Sequence, residues 1–277
     1  MSKKILITGS NGQLGTELSH LIPNAVFTDV AQLDITDADA VKRFINDNEI
    51  QTVINCAAYT AVDRAEDDFD LAYKINAIGP KNLAENAEKI IHISTDYVFN
   101  GTKHTPYKPY DFTSPVSVYG HTKRSGEIEV LTKADKAIII RTAWLYSPYG
   151  NNFVKTMCRL GAEKEEINVV NDQIGTPTYA ADLAKAIVDI IPQISYKTHG
   201  IYHFTNEGVC SWYDFAHEIM KQSGLKCRVN PIPSSAYPTK ATRPFYSVLD
   251  KSDIKNVFGV KIPHWTDALG RCIERMR

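Results

Sequence analysis

Apolar residues fall in short runs separated by polar turns, and two spacings alternate along the chain. Ile5-Leu6-Ile7, Ala25-Val26-Phe27-Thr28, Thr52-Val53-Ile54, Ile90-Ile91-His92-Ile93, Ala137-Ile138-Ile139-Ile140 and Gly200-Ile201-Tyr202-His203-Phe204 are short and nearly continuous, the pattern of buried strands. Between them Leu14/Leu18/Leu21, Val41/Phe44/Ile45, Leu71/Ile75/Ile78, Phe153/Met157/Leu160 and Leu183/Ile187/Ile190 recur at helical spacing, with Leu71, Ile75 and Ile78 expected to face inward. Thr36 reads as the N-cap of the helix through Val41, and Ser211 with Asp214 three residues on reads as a capping box. Strands alternating with helices predict an α/β fold with a doubly wound parallel sheet, helices on both faces. Past Gly224 the chain turns irregular through Pro231, Pro233, Pro238 and Pro244, then closes with a helix carrying Trp265, Leu269, Cys272 and Met276.

Composition narrows the class without naming it. The 277 residues are 43% apolar and 23% charged, the mix of a globular protein with a sizeable core. A formal net charge of −1 gives no electrostatic case for nucleic acid or an anionic membrane as partner. No apolar run nears the ~20 residues of a membrane span, and Met1-Ser2-Lys3-Lys4 is followed by an apolar run too short for a signal peptide. Five cysteines, an odd number without a CxxC pair, suit reduced thiols in a cytoplasmic protein and no structural zinc. No metal is expected from the eight histidines, and Asp63 with Glu66-Asp67-Asp68 reads as a solvated helix start.

The first strand runs into Thr8-Gly9-Ser10-Asn11-Gly12-Gln13-Leu14-Gly15 and then a helix. In that setting Gly9 permits a tight turn, Gly12 lets backbone approach a pyrophosphate, and Gly15 allows close packing. Asp29, twenty residues after Gly9 at the end of the second strand, is placed to hold adenosine ribose hydroxyls. The small residues Cys56-Ala57-Ala58 end the third strand and permit close approach of a ligand. Residues 1–150 are therefore expected to form a Rossmann-like dinucleotide-binding domain, its sheet completed within 175–206, and 151–277 mostly a smaller C-terminal substrate-binding lobe. The cofactor is expected against Gly9, Ser10, Asn11, Gly12, Gln13, Leu14, Gly15, Asp29, Asp34, Ile35, Cys56, Ala57, Ala58 and Thr60, with Tyr119 and Lys123 at its reactive end.

Candidate chemistry centres on Ser94–Lys123. A strand ends at Ser94-Thr95-Asp96-Tyr97-Val98-Phe99, and a helix after Ser114-Pro115 carries Tyr119 and Lys123, four apart and so on one face. A phenol with a pKa of about 10 exchanges protons poorly at neutral pH, and a nearby ammonium is expected to lower it. The plainer alternative is a Tyr and a Lys on a solvated helix face. Upstream, Pro80 deprives the carbonyl of Asn76 of its helical partner; this gives either a kink or a free carbonyl that holds a water linked to Lys123.

Together, Thr8-Gly9-xx-Gly12-xx-Gly15, Asn55-Cys56-Ala57-Ala58, Ser94-Thr95-Asp96-Tyr97-Val98-Phe99 and Tyr119-xxx-Lys123 resemble the extended short-chain dehydrogenase/reductases. Within them the chain is similar to the dTDP-4-dehydrorhamnose reductase family, in Leu33-Asp34-Ile35-Thr36, Ala61-Val62-Asp63-xx-Glu66, Arg141-Thr142-Ala143-Trp144-Leu145-Tyr146, Asn151-Asn152-Phe153-Val154, Asp172-Gln173-xx-Thr176-Pro177-Thr178 and Arg243-Pro244-xx-Ser247. The connection from Leu83 to Ile90 is shorter than the family's, so the helix before it is expected to end early. The resemblance implies hydride transfer from a nicotinamide to C4 of dTDP-4-dehydro-L-rhamnose. It gives Tyr119 as proton donor, Thr95 as hydrogen-bond donor to the same oxygen, and Lys123 as tuner of Tyr119 and holder of the nicotinamide ribose. Asp96, Tyr97, Val98 and Trp144 are implied near the sugar, and Asn152, Thr176 and Arg243 toward the diphosphate. NADH is expected in preference to NADPH, both being usable. The family's interfacial Mg²⁺ is not carried over, since Glu17 alone matches a ligand; a monomer or homodimer is expected. A dehydratase is disfavoured because Tyr97 stands where its Glu base belongs. An epimerase, and a non-catalytic subunit like the methionine adenosyltransferase β subunit, remain alternatives.

Overall fold

A computed structural model describes residues 4–277; Met1, Ser2 and Lys3, the start of the segment weighed as a leader, lie outside the described residues. In chain order the elements are β1 Lys4–Thr8, α1 Gln13–Leu21, β2 Val26–Thr28, α2 Ala38–Asp47, β3 Ile50–Asn55, α3 Val62–Ala65, α4 Phe69–Tyr73, α5 Gly79–Asn86, β4 Lys89–Thr95, α6 Val118–Lys133 and β5 Ala137–Thr142. Then follow β6 Leu145–Tyr146, α7 Phe153–Glu163, β7 Glu166–Val170, β8 Ile174–Gly175, β9 Thr178–Tyr179, α8 Ala180–Ile190, β10 Gly200–His203, β11 Cys210–Ser211, α9 Trp212–Ser223, β12 Arg228–Ile232, α10 Ser252–Phe258 and α11 Trp265–Met276. Six parallel strands form one sheet in the order β10-β5-β4-β3-β1-β2. The winding reverses between β1 and β3, so a crevice opens at their carboxyl ends.

The sheet is central because its strands are apolar on both faces. Ile7, Ile54, Ile91, Ile138 and Ile140 pack with Leu183 and Ile187 of α8, while Leu6, Val53, Ile90 and Ile139 pack with Val41 and Leu83 on the other face. Full burial of each such side chain is worth roughly 1.5–3 kcal/mol. A separate cluster gathers Met157, Phe215, Ile219, Trp265, Leu269 and Cys272 from α7, α9 and α11 with Ile167 and Val229 of the β7–β12 pair. The β7–β12 pairing and α10 are absent from the sequence reading. Pro231 within β12 interrupts its strand pattern, but β12 pairs with β7 alone, so the missing N–H of Pro231 costs no second partner.

Other local expectations are corrected. The cap of α2 is Asp37, whose carboxylate accepts from Ala40 N at 2.9 Å; Thr36 instead bonds back to Asp34. Leu71 is exposed, and the inward residues are Ala72, Asn76 and Ala77. A π-turn over Lys74–Ile78 adds a residue to the helical turn and shifts which side chains face inward. That turn also accommodates Pro80 without breaking the run, and α5 continues to Asn86 instead of ending early. The acidic stretch at 63–68 does begin a short helix and is partly exposed, but it also fastens distant parts of the chain. Asp63 accepts from Arg243 at 2.8 Å, Asp67 pairs with Lys240, and Glu66 accepts from Val118 N at 2.9 Å at the start of α6.

Candidate active site

A cleft of about 740 Å³ runs along the carboxyl ends of β1–β5. Its floor is fixed by a buried polar ladder across three strands. Thr8 Oγ1 donates to Asn55 Oδ1 at 2.7 Å, and Asn55 Nδ2 lies 3.0 Å from His92 Nδ1. Burial, then the nearby Lys123 ammonium, hold His92 well below the usual histidine range, so its ring is neutral. Asn55 Oδ1 also accepts from Ala57 N at 3.1 Å, which shapes the small-residue turn.

One end of the cleft is built for a phosphate. Gly9 has φ +62°, and a Cβ there would lie 2.7 Å from the backbone of Ala57. At Gly15 a Cβ would lie 2.5 Å from Gly9 O, so the third glycine relieves the loop itself. Gly12 precedes the first turn of α1, whose amides point at the cleft. Gly9, Gly12, Gln13, Leu14, Gly15, Asp29, Asp34, Ile35, Cys56, Ala57, Ala58 and Thr60 all line the wall. Ser10 and Asn11 do not: their amides are committed to Thr28 O and Asp29 Oδ2. A glycine cradle that no Cβ could enter, a helix N-terminus and a carboxylate beyond it fit a dinucleotide.

Thr95, Asp96, Tyr97, Tyr119, Lys123 and Trp144 meet at the other end. Ser117 caps α6 by accepting from Gly120 N at 3.1 Å, which starts the helix so that Tyr119 and Lys123 face β4. Thr95 is within hydrogen-bonding reach of the Tyr119 hydroxyl. The expected lowering of Tyr119 is not found: burial raises its pKa, against the Thr95 hydrogen bond, and Asp96 and Tyr97 add to the rise. Lys123 Nζ donates to Ile93 O at 2.6 Å, and burial brings it down to about 8 against the pull of Glu127 and Cys56. Asp96 is pushed up to about 6 by burial, although Thr95 and Ser247 hydrogen-bond it. Tyr97 meets Tyr119 edge to face at 5.4 Å and is itself raised to about 12, by burial first, so it is no base at neutral pH.

Trp144 is held with φ 50°, a conformation unfavourable for its bulk, and stacks on Trp212 at 3.6 Å. Three other expected substrate contacts lie elsewhere. Val98 is fully buried with Phe99, Tyr107 and Leu249. Asn152 caps α7 and donates to Gln13 Oε1 at 3.0 Å. Thr176 is buried and donates to Gly208 O. Arg243 is held by Asp63 and hydrogen-bonded to Tyr97 beside the cleft. Asn76 is outside the wall; its amide holds Tyr59 backbone and Thr122 Oγ1, and its carbonyl faces Gly126 of α6. Sequence reasoning missed Ser94, Glu127 and the Ile93 carbonyl as supports of the Tyr–Lys pair; Glu127, four residues after Lys123, was the available signal.

Among the described residues, no group of three or more His, Cys, Asp or Glu is gathered as for a metal, and Glu17 is paired with Arg275 at 2.8 Å. No described helix is long and apolar enough to cross a membrane.

A parallel sheet with a glycine turn at its switch point, and Thr95, Tyr119 and Lys123 converging beside it, define an NAD(P)H-dependent oxidoreductase of the short-chain dehydrogenase/reductase type. The family model described as RmlD substrate binding domain matches residues 3–277. A dTDP-4-dehydrorhamnose reductase of Aggregatibacter actinomycetemcomitans is 43% identical, covering 96% of this chain and 97% of its own. A crystal structure of the same enzyme type from Clostridium acetobutylicum is 46% identical, with 99% of both chains covered and a TM-score of 0.95. One from Bacillus anthracis, in complex with NADP, is 40% identical with a TM-score of 0.94, covering 99% of this chain and 100% of that one. The chain belongs to the dTDP-4-dehydrorhamnose reductase family.

Proposed function

We propose that the chain reduces the 4-keto group of dTDP-4-dehydro-L-rhamnose to give dTDP-L-rhamnose, in the cytoplasm, for polysaccharide synthesis. The observation that carries this reading is the convergence of the Thr95 and Tyr119 hydroxyls, one turn from Lys123, in a cleft that Trp144 and a glycine cradle also line. The nicotinamide, when bound, supplies hydride. Thr95 and Tyr119 present hydroxyls to one substrate oxygen, and the protonated phenol of Tyr119 transfers its proton to the alkoxide that develops there. Lys123 places a positive charge beside the phenolate left behind. Asn76, through its carbonyl against α6, is assigned to the path that returns a proton by water. Asp96, Tyr97, Trp144 and Arg243 are assigned to the substrate, and the 151–277 region to the lobe that closes over it.

The cofactor preference follows from charge. Asp29, Val30, Leu33, Asp34, Ile35 and Thr36 line the adenosine end, and none carries a positive charge. Asp29 Oδ2 is drawn to the loop by Asn11 N at 3.3 Å, which sets its carboxylate in the cleft. A ribose with free hydroxyls suits that site better than a 2′-phosphate, so NADH is preferred and NADPH used less well. The test is cofactor oxidation with enzymatically generated dTDP-4-dehydrorhamnose. One cofactor oxidised per sugar reduced supports the reading. Interconversion of sugars without net oxidation would make it an epimerase, and no turnover at all would leave the subunit alternative.

A further inference from the structure

Resting on the reductase reading above, we propose that Glu127 is a positioning residue for the Thr95–Tyr119–Lys123 set, fastening the end of β4 to α6 and keeping a carboxylate one turn from the Lys123 ammonium. Tyr119, Lys123 and Glu127 repeat every four residues and so lie along one side of α6. Three consecutive residues of β4 meet them. Ile93 O accepts from Lys123 Nζ at 2.6 Å, Ser94 Oγ donates to Glu127 Oε1 at 2.6 Å, and Thr95 reaches the Tyr119 hydroxyl. Ser94 is therefore the middle of a three-point clasp, and Thr95 is the next residue along.

Glu127 is fully buried, so its charge needs partners. Arg141 supplies a two-pronged contact, Nε to Oε1 and Nη2 to Oε2, both at 2.7 Å, and Arg124 Nη1 lies 3.2 Å from Oε2. The same arginines donate to Pro109 O at 3.1 Å and Thr113 Oγ1 at 2.9 Å. One carboxylate thus joins β4, β5, α6 and the loop between Phe99 and Ser117. Around Lys123 stand Cys56, His92, Tyr119 and Glu127. Burial keeps the Cys56 thiol protonated, with its pKa raised to about 12, and His92 is neutral. Glu127 is then the anion that opposes burial in keeping Lys123 charged.

The experiment follows Lys123 directly by ¹³C NMR of protein labelled at lysine Cε, the resonance assigned with Lys123→Met, beside the pH dependence of kcat. In folded Glu127→Gln, Lys123 is expected to titrate about one unit or more below wild type, and the alkaline limb of kcat to move with it. Glu127→Asp keeps the charge and is expected to return the lysine titration toward the wild-type value. Glu127→Gln leaves Arg141 buried without its anion and can fail to fold. Glu127→Gln/Arg141→Gln removes both charges together, and a smaller downward shift is expected there, because losing the Arg141 cation offsets part of the loss of the anion. An unmoved Lys123 titration in a folded variant overturns the proposal, as does a uniform fall in kcat with an unmoved alkaline limb. Absence of wild-type turnover would overturn the proposed function instead, and the NMR titration would still decide the role of Glu127.

Discussion

The ammonium of Lys123 rests 2.6 Å from the carbonyl oxygen of Ile93, on the strand that delivers Thr95, and donates its hydrogen bond there. The lysine thereby ties helix to strand as well as supplying charge. It also clarifies the acid. Burial raises the Tyr119 pKa, so the phenol holds its proton across the neutral range and is ready to give it. The harder state is the phenolate left after donation, and the cation one turn along the helix is placed to stabilise that state.

Tyr119→Phe is expected to lower kcat by roughly 10²–10⁴, the usual worth of a positioned acid, and to leave cofactor affinity nearly unchanged. Stopped-flow or steady-state turnover with equilibrium cofactor titration separates the two. Near-normal kcat would remove Tyr119 from the acid role.

Gly15→Ala is expected to weaken cofactor binding by tenfold or more, on the order of 1.4 kcal/mol. The new Cβ would lie 2.5 Å from Gly9 O and 2.6 Å from Ser10 Cα, both backbone, so the loop itself must move. Fluorescence titration of the reduced cofactor checks this; wild-type affinity would mean that the loop is not the phosphate cradle.

The sheet was readable from sequence because β1, β3, β4, β5 and β10 are apolar runs without Pro, and the catalytic pair because Tyr119 and Lys123 share a helix face. The supports around them were harder to read. Glu127 looks like a surface residue of a polar helix until Arg141, on another strand, arrives beside it. Val98 belongs to the same short motif as Asp96 and Tyr97, yet the 3₁₀ turn at Asp96–Val98 sends it into a core with Leu249. Leu71 was misplaced because a π-turn breaks the simple helical period that the reading used. Asp63 and Asp67 resemble solvated charges because their partners, Arg243 and Lys240, lie far along the chain.

Asp29→Ala is expected to shift the ratio of kcat/KM for NADH over NADPH by about tenfold toward NADPH, the effect of removing ~1–2 kcal/mol of charge repulsion. Wild-type enzyme is expected to favour NADH. Equal or better use of NADPH by the wild type would contradict the role given to Asp29.

Lys123 also carries a stability signature. Its folded pKa of about 8 lies below the ordinary lysine value of 10.5, so between these pH values the unfolded chain holds a proton that the folded one has released. Stability therefore rises with pH across that window, by up to about 3 kcal/mol for this group. Denaturant unfolding at about pH 7.5 and about pH 10 should show wild type gaining on Lys123→Met as pH rises. A constant difference between the two proteins would show that Lys123 is not depressed.

The most direct measurement of the central claim follows the hydride. Enzymatically generated dTDP-4-dehydrorhamnose is turned over with NADH in which both hydrogens at nicotinamide C4 are deuterium, and the sugar product is analysed by NMR. One deuterium at sugar C4, with one cofactor oxidised per product, is the predicted result. Product without deuterium at C4, or a changed sugar with the cofactor left reduced, would contradict it.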